Sequence, residues 1–223
     1  ERLPKDFDIA TNAHPEEIRD LFRNSRLIGR RFRLAHVRFG REIIEVATFR
    51  AGHDGDEDGA SIDDGGRILR DNVYGELHDD VWRRDFTVNA LYYDINDFSI
   101  VDYVGGVEDI AHRRLRLIGD PALRYREDPV RMLRAIRFAS KLDFDVDDAT
   151  HEAFDRYGVL LKEIAPARLF DESLKMFHSG HGLKTFESLH ATGLFAHLFP
   201  QAAQTFDTDS HSYNLVIESM RNT

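Results

Sequence analysis

The sequence predicts an α+β protein, in which a mixed head of strands and helices precedes an all-helical region. β-branched and alternating segments recur between short helical segments up to about residue 118. After about residue 120 the strand patterns stop and helical periodicity continues to the last residues. We therefore predict a head over 1–118 and a helical neck, with the start of a helical body, over 119–223.

The first half of the head has the clearest pattern. We expect a short strand at 6–10 and a helix that begins at His14-Pro15, because proline suits the first turn of a helix. The segments 32–39 and 42–49 alternate as two strands do and are predicted to form a hairpin. The polar stretch 51–68 is predicted to be a loop.

The rest of the chain is predicted to be mainly helical. Asp85 could cap a helix that passes through Leu91, and two more short strands are expected at 98–103 and 114–118. Asp128-Pro129 is predicted to open a helix that passes through Phe138. Further helices are expected near 106–112, 147–157, 166–178, 182–191 and 212–222.

Composition excludes several classes of protein. The 223 residues carry a formal charge of −10, and 42% of them are hydrophobic, as is typical of a globular protein. Cysteine is absent, which excludes disulfides and thiol catalysis and fits a cytoplasmic protein. No apolar run approaches the roughly 20 residues of a membrane span, so no membrane partner is expected.

The basic residues are segregated and are nearly all arginine. Only five of the 30 basic residues are lysine, and eight arginines lie in each of the segments 19–41 and 113–137. Arginine binds phosphate through two parallel hydrogen bonds, although a single cluster is as readily a solvated helix face. Two such clusters on either side of the acidic segment 53–64 favour a phosphate-rich partner.

Asp6 and Asp8 form the first candidate site. Residues two apart on a strand point to the same face, so these carboxylates should project together while Phe7 turns away. Adjacent carboxylates repel each other unless a cation lies between them, and Mg²⁺ is the usual cation where phosphates are handled. Taken alone, this pattern is more often an exposed strand end.

Two further motifs combine carboxylates with arginines. Arg84, Asp85 and Asn89 suit a nucleotide site, although a helix cap with an ion pair is the simpler interpretation. Asp128 begins a segment in which Arg131 and Arg134 share one helix face, so a carboxylate and guanidiniums could contact the edge of a base. A capped surface helix would have the same pattern.

In this order the motifs resemble one family. The chain resembles the bacterial poly(A) polymerase and tRNA CCA-adding family, which are class II nucleotidyltransferases of the polymerase-β-like superfamily. The resemblance lies in Asp6-x-Asp8, in Arg84-Asp85 within RRDFTVN, in Asp102 to Asp109, and in Glu127-Asp128 to Arg131. Within the family, the segment 27–37 (LIGRRFRLAHV) is similar to the poly(A) polymerase signature.

The resemblance implies a fold and an activity. It implies a polymerase-β-like head, with a small mixed sheet and flanking helices, that adds AMP from ATP to RNA 3′ ends without a template and releases pyrophosphate. Two Mg²⁺ ions would support this transfer, held by Asp6 and Asp8, with Asp85 in the catalytic carboxylate set. Arg84, Asn89, Asp128, Arg131 and Arg134 would bind the nucleotide.

The third metal ligand has two candidates. Glu45 lies in a β-branched strand that could pair beside the strand of Asp6 and Asp8, and a buried unpaired charge there would be costly. We favour Asp85 in the catalytic set and keep Glu45 as a possible metal ligand.

Two other functions remain open. A CCA-adding enzyme would use CTP as well as ATP on tRNA, and an RNA-binding module without catalysis would keep only the scaffold. The family's Gly-Gly-x-x-Arg-Asp segment upstream of the first motif is not in this sequence, and the last predicted helix runs to Thr223. We therefore expect the sequence to be a piece of a longer protein.

Overall fold

The protein is described from a computed structural model. The structure describes residues 7–29, 33–51, 60–62, 68–71 and 73–221. The contacts within the chain form two compact units, Glu1–Arg84 and Asp85–Thr223. The predicted domain boundary near residue 118 stays a prediction.

The first unit is built on a four-stranded mixed sheet in the order β1-β4-β3-β2. β1 runs parallel to β4, and the other two pairs are antiparallel. β5 and β6 form a separate two-stranded sheet. The elements are β1 (Ile9–Thr11), α1 (Pro15–Leu21), β2 (Ser25–Ile28), β3 (Leu34–Phe39), β4 (Glu42–Thr48), β5 (Ala60–Ile62), β6 (Ile68–Asp71) and α2 (Leu77–Arg83).

One face of the four-stranded sheet is apolar. Ala35, Val37 and Val46 are buried, and Ile18 of α1 packs in the same cluster. α1 begins where predicted, with Pro15 in its first turn, and the Glu17 carboxylate accepts a hydrogen bond from the backbone N–H of His14 at 2.7 Å. Because side chains alternate along a strand, the intervening residues lie on the opposite face.

The second unit is mostly helical. Two short sheets, β7-β8 and β9-β10, accompany its helices, and Thr87–Asn89 forms one 3₁₀ turn. The strands are β7 (Tyr92–Tyr93), β8 (Ile100–Val101), β9 (Arg114–Leu115) and β10 (Asp145–Val146). The helices are α3 (Gly106–Ala111), α4 (Pro121–Glu127), α5 (Val130–Leu142), α6 (Asp148–Tyr157), α7 (Pro166–Phe177), α8 (Gly182–Ala191), α9 (Leu194–Leu198), α10 (Pro200–Thr208) and α11 (Ser210–Arg221).

α5 lies in the core of this unit. Its residues Met132, Leu133 and Ile136 are buried in one cluster with Phe86 and Phe154. The spacing of these apolar residues on α5 is that of one helix face, as the sequence predicts. Burial of this face fixes the rotation of α5 and hence the side on which its arginines lie.

The predicted α+β fold class, with a mixed sheet and a helical C-terminal region, is confirmed. Several elements differ from the expectations. The helix predicted from Asp85 is only the 3₁₀ turn Thr87–Asn89, and the segment predicted as a loop over 51–68 contains β5 and the first residue of β6. Among the residues described here, no helix has the length and apolar character needed to cross a membrane.

Candidate functional site

A row of polar side chains crosses the face of the sheet opposite the apolar one. Ile9 of β1 is the register partner of Val46 in the parallel strand β4. Asp8 and Glu45 are the residues immediately before these two partners. Equivalent positions on neighbouring strands point to the same face, so the register places these two carboxylates side by side. Asp8 is exposed, and the Glu45 side chain is 47% exposed.

The row continues onto β3 and β2. His36 is the register partner of Glu45 and Arg26 is the register partner of His36. The Nε2 atom of His36 lies 3.1 Å from Oε1 of Glu45, which fixes the Glu45 side chain on this face. The row across the sheet therefore consists of Asp8, Glu45, His36 and Arg26 in that order.

The donor set of this row suits a hard divalent cation. Two carboxylates on adjacent strands, both open to solvent, supply the oxygen ligands that such ions prefer, and Glu45 keeps a second oxygen besides the one that contacts His36. Asp6 lies outside the described residues. Within the described ranges no group of three or more His, Asp or Glu side chains is close enough to hold a metal ion.

Asp80 organises the arginines at the end of the first unit. Its side chain is only 7% exposed, and its Oδ2 atom lies 3.0 Å from both Nε and Nη2 of Arg84. Its Oδ1 atom accepts a hydrogen bond from the backbone N–H of Arg50 at 3.2 Å. Burial lowers the pKa of Arg50, and the nearby Asp80 carboxylate, which raises it, offsets this effect only in part. Arg84 is therefore held by a buried carboxylate that the sequence motifs did not identify.

Asp85 is surrounded by hydrogen-bond donors. Its Oδ1 atom accepts hydrogen bonds from the backbone N–H of Phe86 at 2.8 Å and from Nδ2 of Asn89 at 3.1 Å. Its Oδ2 atom accepts a hydrogen bond from Nε of Arg134 at 2.6 Å, and its side chain is 11% exposed. The guanidinium of Arg134 also lies over the Phe138 ring. Two predicted nucleotide-binding residues, Asn89 and Arg134, thus form one bonded group with Asp85, which was predicted to be catalytic.

Arg131 is anchored on one side. Its Nη1 atom donates to Oε2 of Glu127 at 2.8 Å and to the backbone carbonyl of Arg124 at 2.8 Å. Nη1 of Arg124 donates to the same Glu127 oxygen at 2.6 Å. Burial and the neighbouring Arg131 lower the pKa of Arg124 to about 10. Glu127 thus fixes one edge of the Arg131 guanidinium and leaves its other nitrogens without a hydrogen bond inside the described part of the chain.

Asp128 has a partner that the sequence did not identify. Its Oδ2 atom accepts a hydrogen bond from Nη2 of Arg168 at 2.6 Å. One turn later on α7, Glu172 accepts from Nε of Arg137 on α5 at 2.6 Å. Two ion pairs one helical turn apart therefore fix α7 to the segment that carries the predicted base-contacting residues.

Asp102 and Asp109 stabilise the glycine-containing junction. Asp102 accepts four backbone hydrogen bonds, from Val104, Gly105, Gly106 and Val107. Asp109 is fully buried and binds the hydroxyl of Thr87 and the guanidiniums of Arg114 and Arg116. Asp102 therefore binds the backbone at the start of α3, and Asp109 joins three side chains around it.

Comparison with known proteins shows the family. A family model described as "Poly A polymerase head domain" matches residues 1–116. A second, described as "Probable RNA and SrmB-binding site of polymerase A", matches residues 143–206. The chain belongs to the poly(A) polymerase head-domain family, which confirms the resemblance found in the motifs.

Relatives and solved structures agree with this assignment. Poly(A) polymerase I of Salmonella typhimurium is 51% identical over 227 residues, which cover all of this chain and 49% of that protein. The CCA-adding enzyme of Lactobacillus helveticus is 38% identical over 187 residues, which cover 84% and 45% of the two chains. The crystal structure of the Bacillus stearothermophilus CCA-adding enzyme in complex with CTP has a TM-score of 0.75 at 31% identity and covers 92% of this chain and 48% of that one. The chain thus spans about half the length of the curated relatives that it matches.

Proposed function

We propose that the full-length protein containing this chain adds AMP from ATP to RNA 3′ ends without a template and releases pyrophosphate. The observation that carries the proposal is the pair Asp8 and Glu45 on one sheet face, in a chain 51% identical to a poly(A) polymerase I. The lower identity to CCA-adding enzymes, 38% for the Lactobacillus helveticus protein, makes CCA addition the second candidate.

Asp6, Asp8 and Glu45 are proposed to hold the divalent metal, with two Mg²⁺ ions as the expected occupants. Bound there, the metal would supply charge neutralisation at the phosphates and a lower pKa for the attacking hydroxyl. His36 would keep the Glu45 carboxylate on the sheet face, since their 3.1 Å contact leaves the second Glu45 oxygen available.

Several of the predicted residues are proposed to contact the nucleotide. Arg84, held by Asp80, would contact phosphate or ribose. Asp128 and Arg131 would present an acceptor and a donor to the edge of the adenine base, and each is fixed from behind by a charged partner. One well-formed bidentate contact discriminates between bases by roughly 1–3 kcal/mol.

Asp85 is proposed to act with Asn89 and Arg134 as one group. Because both Asp85 oxygens already accept hydrogen bonds, we assign this carboxylate to the positioning of Arg134 and Asn89 at the nucleotide. Glu45, which has only one contacting partner in the described residues, is then the better third metal ligand.

The proposed reaction exchanges a phosphoanhydride bond of ATP for a phosphoester bond to the RNA. The RNA 3′-hydroxyl oxygen bonds to the α-phosphorus of ATP and loses its proton, while the bond from that phosphorus to the bridging oxygen of pyrophosphate breaks. Arg84 and Arg134 would balance negative charge on the phosphates. Their carboxylate partners hold these guanidiniums in place before the nucleotide binds, so little reorganisation is needed.

The primary test is a primer-extension assay with the full-length protein, a generic RNA, and each NTP alone or all four together. Long A-only tails are expected, whereas a three-nucleotide CCA addition would establish the second candidate. Asp8→Asn should lower incorporation at least about 100-fold while the free energy of unfolding stays within about 0.5 kcal/mol. Asp20→Asn, which changes an exposed carboxylate of α1 in the same way, is the matched control. Full activity of Asp8→Asn would contradict the proposal.

The same assay separates the roles of Glu45 and Asp85. Glu45→Gln is expected to match Asp8→Asn and to weaken Mg²⁺ binding measured by calorimetry. Asp85→Asn is expected to leave Mg²⁺ binding intact and to raise the KM for ATP, since Arg134 loses its carboxylate. If Asp85→Asn abolishes Mg²⁺ binding and Glu45→Gln does not, Asp85 is the ligand.

A further inference from the structure

Most arginines of the helical unit are neutralised by carboxylates of the same unit. Of the eleven arginines in Asp85–Thr223, eight form ion pairs. Among the described residues, only Arg126, Arg156 and Arg221 form none. An arginine without a carboxylate partner has its full charge available to an outside anion, whereas a paired arginine shares its charge with the carboxylate.

Two of these three arginines share one aromatic ring. The Cζ atoms of Arg126 on α4 and Arg156 on α6 each lie 5.4 Å from the centroid of the Tyr157 ring. Nη2 of Arg126 also donates to the Tyr157 hydroxyl at 3.3 Å. Tyr157 is buried at 6% exposure, whereas both arginines are exposed. Two solvent-facing guanidiniums are therefore positioned around one buried ring.

This pair lies apart from the proposed base-contacting residues. Arg126 follows Arg124 by two residues on α4, a rotation of about 200° about the helix axis. Arg124 binds Glu127, which anchors Arg131, so Arg126 faces away from that group. Glu152, one turn before Arg156 on α6, forms no ion pair with it in the described structure.

We propose that Arg126 and Arg156, supported by Tyr157, bind the phosphodiester backbone of the RNA substrate. This inference rests on the proposed function and names a contact for its RNA. An anion that binds on the side of α4 opposite Arg131 is separate from the nucleotide bound at Arg131. An RNA strand is a polyanion that continues beyond the nucleotide site, so its backbone can supply this separate anion.

The ring makes the pair suited to phosphate. A guanidinium against an aromatic face is attracted to it and keeps its donor edge free for phosphate oxygens. Two positive charges around one ring attract a polyanion more strongly than either charge does alone. The contact is sequence-independent, as expected of an enzyme that extends many RNA 3′ ends.

The test measures RNA binding by the full-length protein as a function of salt, using fluorescence anisotropy with a labelled oligoadenylate. Arg126→Gln/Arg156→Gln is expected to weaken binding roughly 10- to 30-fold at 0.1 M salt and to reduce the salt slope by about 0.7 for each lost phosphate contact. Arg113→Gln, which removes an exposed arginine already paired with Asp143, should change neither quantity. Arg126→Lys/Arg156→Lys should restore part of the salt slope, because the charge returns.

The outcomes separate this inference from the proposed function. If the wild-type protein binds no RNA and incorporates no AMP, the proposed function is wrong and the inference with it. If the wild-type protein is active and the double variant binds RNA with unchanged affinity and salt slope, only the inference is overturned. Equal weakening of ATP binding, measured by calorimetry without RNA, would assign the pair to the nucleotide and also overturn it. Arg156→Gln alone, at an exposed side chain, serves as the variant least able to disturb folding.

Discussion

At the scale of the residue, the predicted charged side chains have partners that the sequence motifs did not identify. The sequence predicted Asp128 and Arg131 but gave no sign of Arg168, which lies 40 residues from Asp128 and binds it at 2.6 Å. It also predicted Arg84 and Asp85 without Asp80, the buried carboxylate behind Arg84. Arg168 meets Asp128 only through the packing of helices, whereas Asp80 lies one helical turn before Arg84 and is distinguished by its burial.

Arg168 is predicted to be a positioning residue for Asp128. Arg168→Gln should raise the KM for ATP about tenfold and reduce the preference for ATP over CTP, because a charged hydrogen bond that orients the Asp128 carboxylate is worth about 1–3 kcal/mol. The kcat should change less than the KM. Steady-state kinetics of the full-length protein with each nucleotide measures both.

Two variants make that result specific. Arg168→Lys should recover part of the ATP preference, since it keeps the charge. Lys175→Gln changes an exposed α7 residue that contacts Glu172 at 3.7 Å and should leave the preference unaltered. An Arg168→Gln variant that loses only stability, with KM and preference as in the wild type, would show that Arg168 is merely structural.

At the scale of the element, prediction succeeded where local pattern decides and failed where packing does. The β3-β4 hairpin and α5 follow from alternation and helical spacing within their own residues. β2 (Ser25–Ile28) was not predicted, because its four residues form a strand only through their register with β3. The helix expected after Asp85 is a single 3₁₀ turn that ends at Asn89, and the Thr87 carbonyl lies so near Gly106 that a Cβ there would be 2.4 Å away.

The candidate site was also predicted only in part: its carboxylates were predicted from the sequence, whereas its ion pairs were not. The carboxylates Asp6, Asp8 and Glu45 could be proposed from strand periodicity, because the row on the sheet face depends on a simple alternation. The second arginine cluster, 113–137, was interpreted as favouring a phosphate-rich partner. In the structure, seven of its eight arginines bind carboxylates of the same unit and only Arg126 does not. Ion pairing across helices cannot be read from arginine content.

The start of α3 is predicted to depend on ionised Asp102. Burial would raise the pKa of Asp102, but its four backbone hydrogen bonds outweigh burial and lower the pKa below the ordinary value of 3.8. Asp102→Ala should lower the free energy of unfolding by about 1–2 kcal/mol near neutral pH. Because the folded-state pKa is lowered, this contribution is present above the ordinary value and is lost as the pH falls through the folded-state value.

Urea unfolding between pH 7 and pH 3 measures this difference. The gap between wild type and Asp102→Ala should be constant near neutrality and should begin to narrow as the pH falls below 3.8. Glu108→Gln, which changes an exposed carboxylate in the first turn of the same helix, is the control and should show a much smaller gap. A gap that grows as the pH falls would contradict the assigned sign.

At the scale of the whole molecule, the two units divide the proposed tasks. The proposed metal ligands Asp6, Asp8 and Glu45 lie in Glu1–Arg84, and the proposed base-contacting residues Asp128 and Arg131 lie in Asp85–Thr223. The second unit has a hydrophobic core of its own. The buried residues of that core are distributed from the start of the second unit to α9, and they include Phe86, Tyr125, Met132, Phe154, Phe186 and Phe195.

The segment 85–223 is therefore predicted to fold when produced alone. Its core is contributed entirely by its own residues, so thermal unfolding followed by circular dichroism should be cooperative and helical. It should bind RNA with a salt dependence that Arg126→Gln/Arg156→Gln reduces, since both arginines and Tyr157 are present. It should incorporate no AMP, because the proposed metal ligands are absent from it. A broad, non-cooperative transition would show instead that this unit depends on the rest of the protein for its fold.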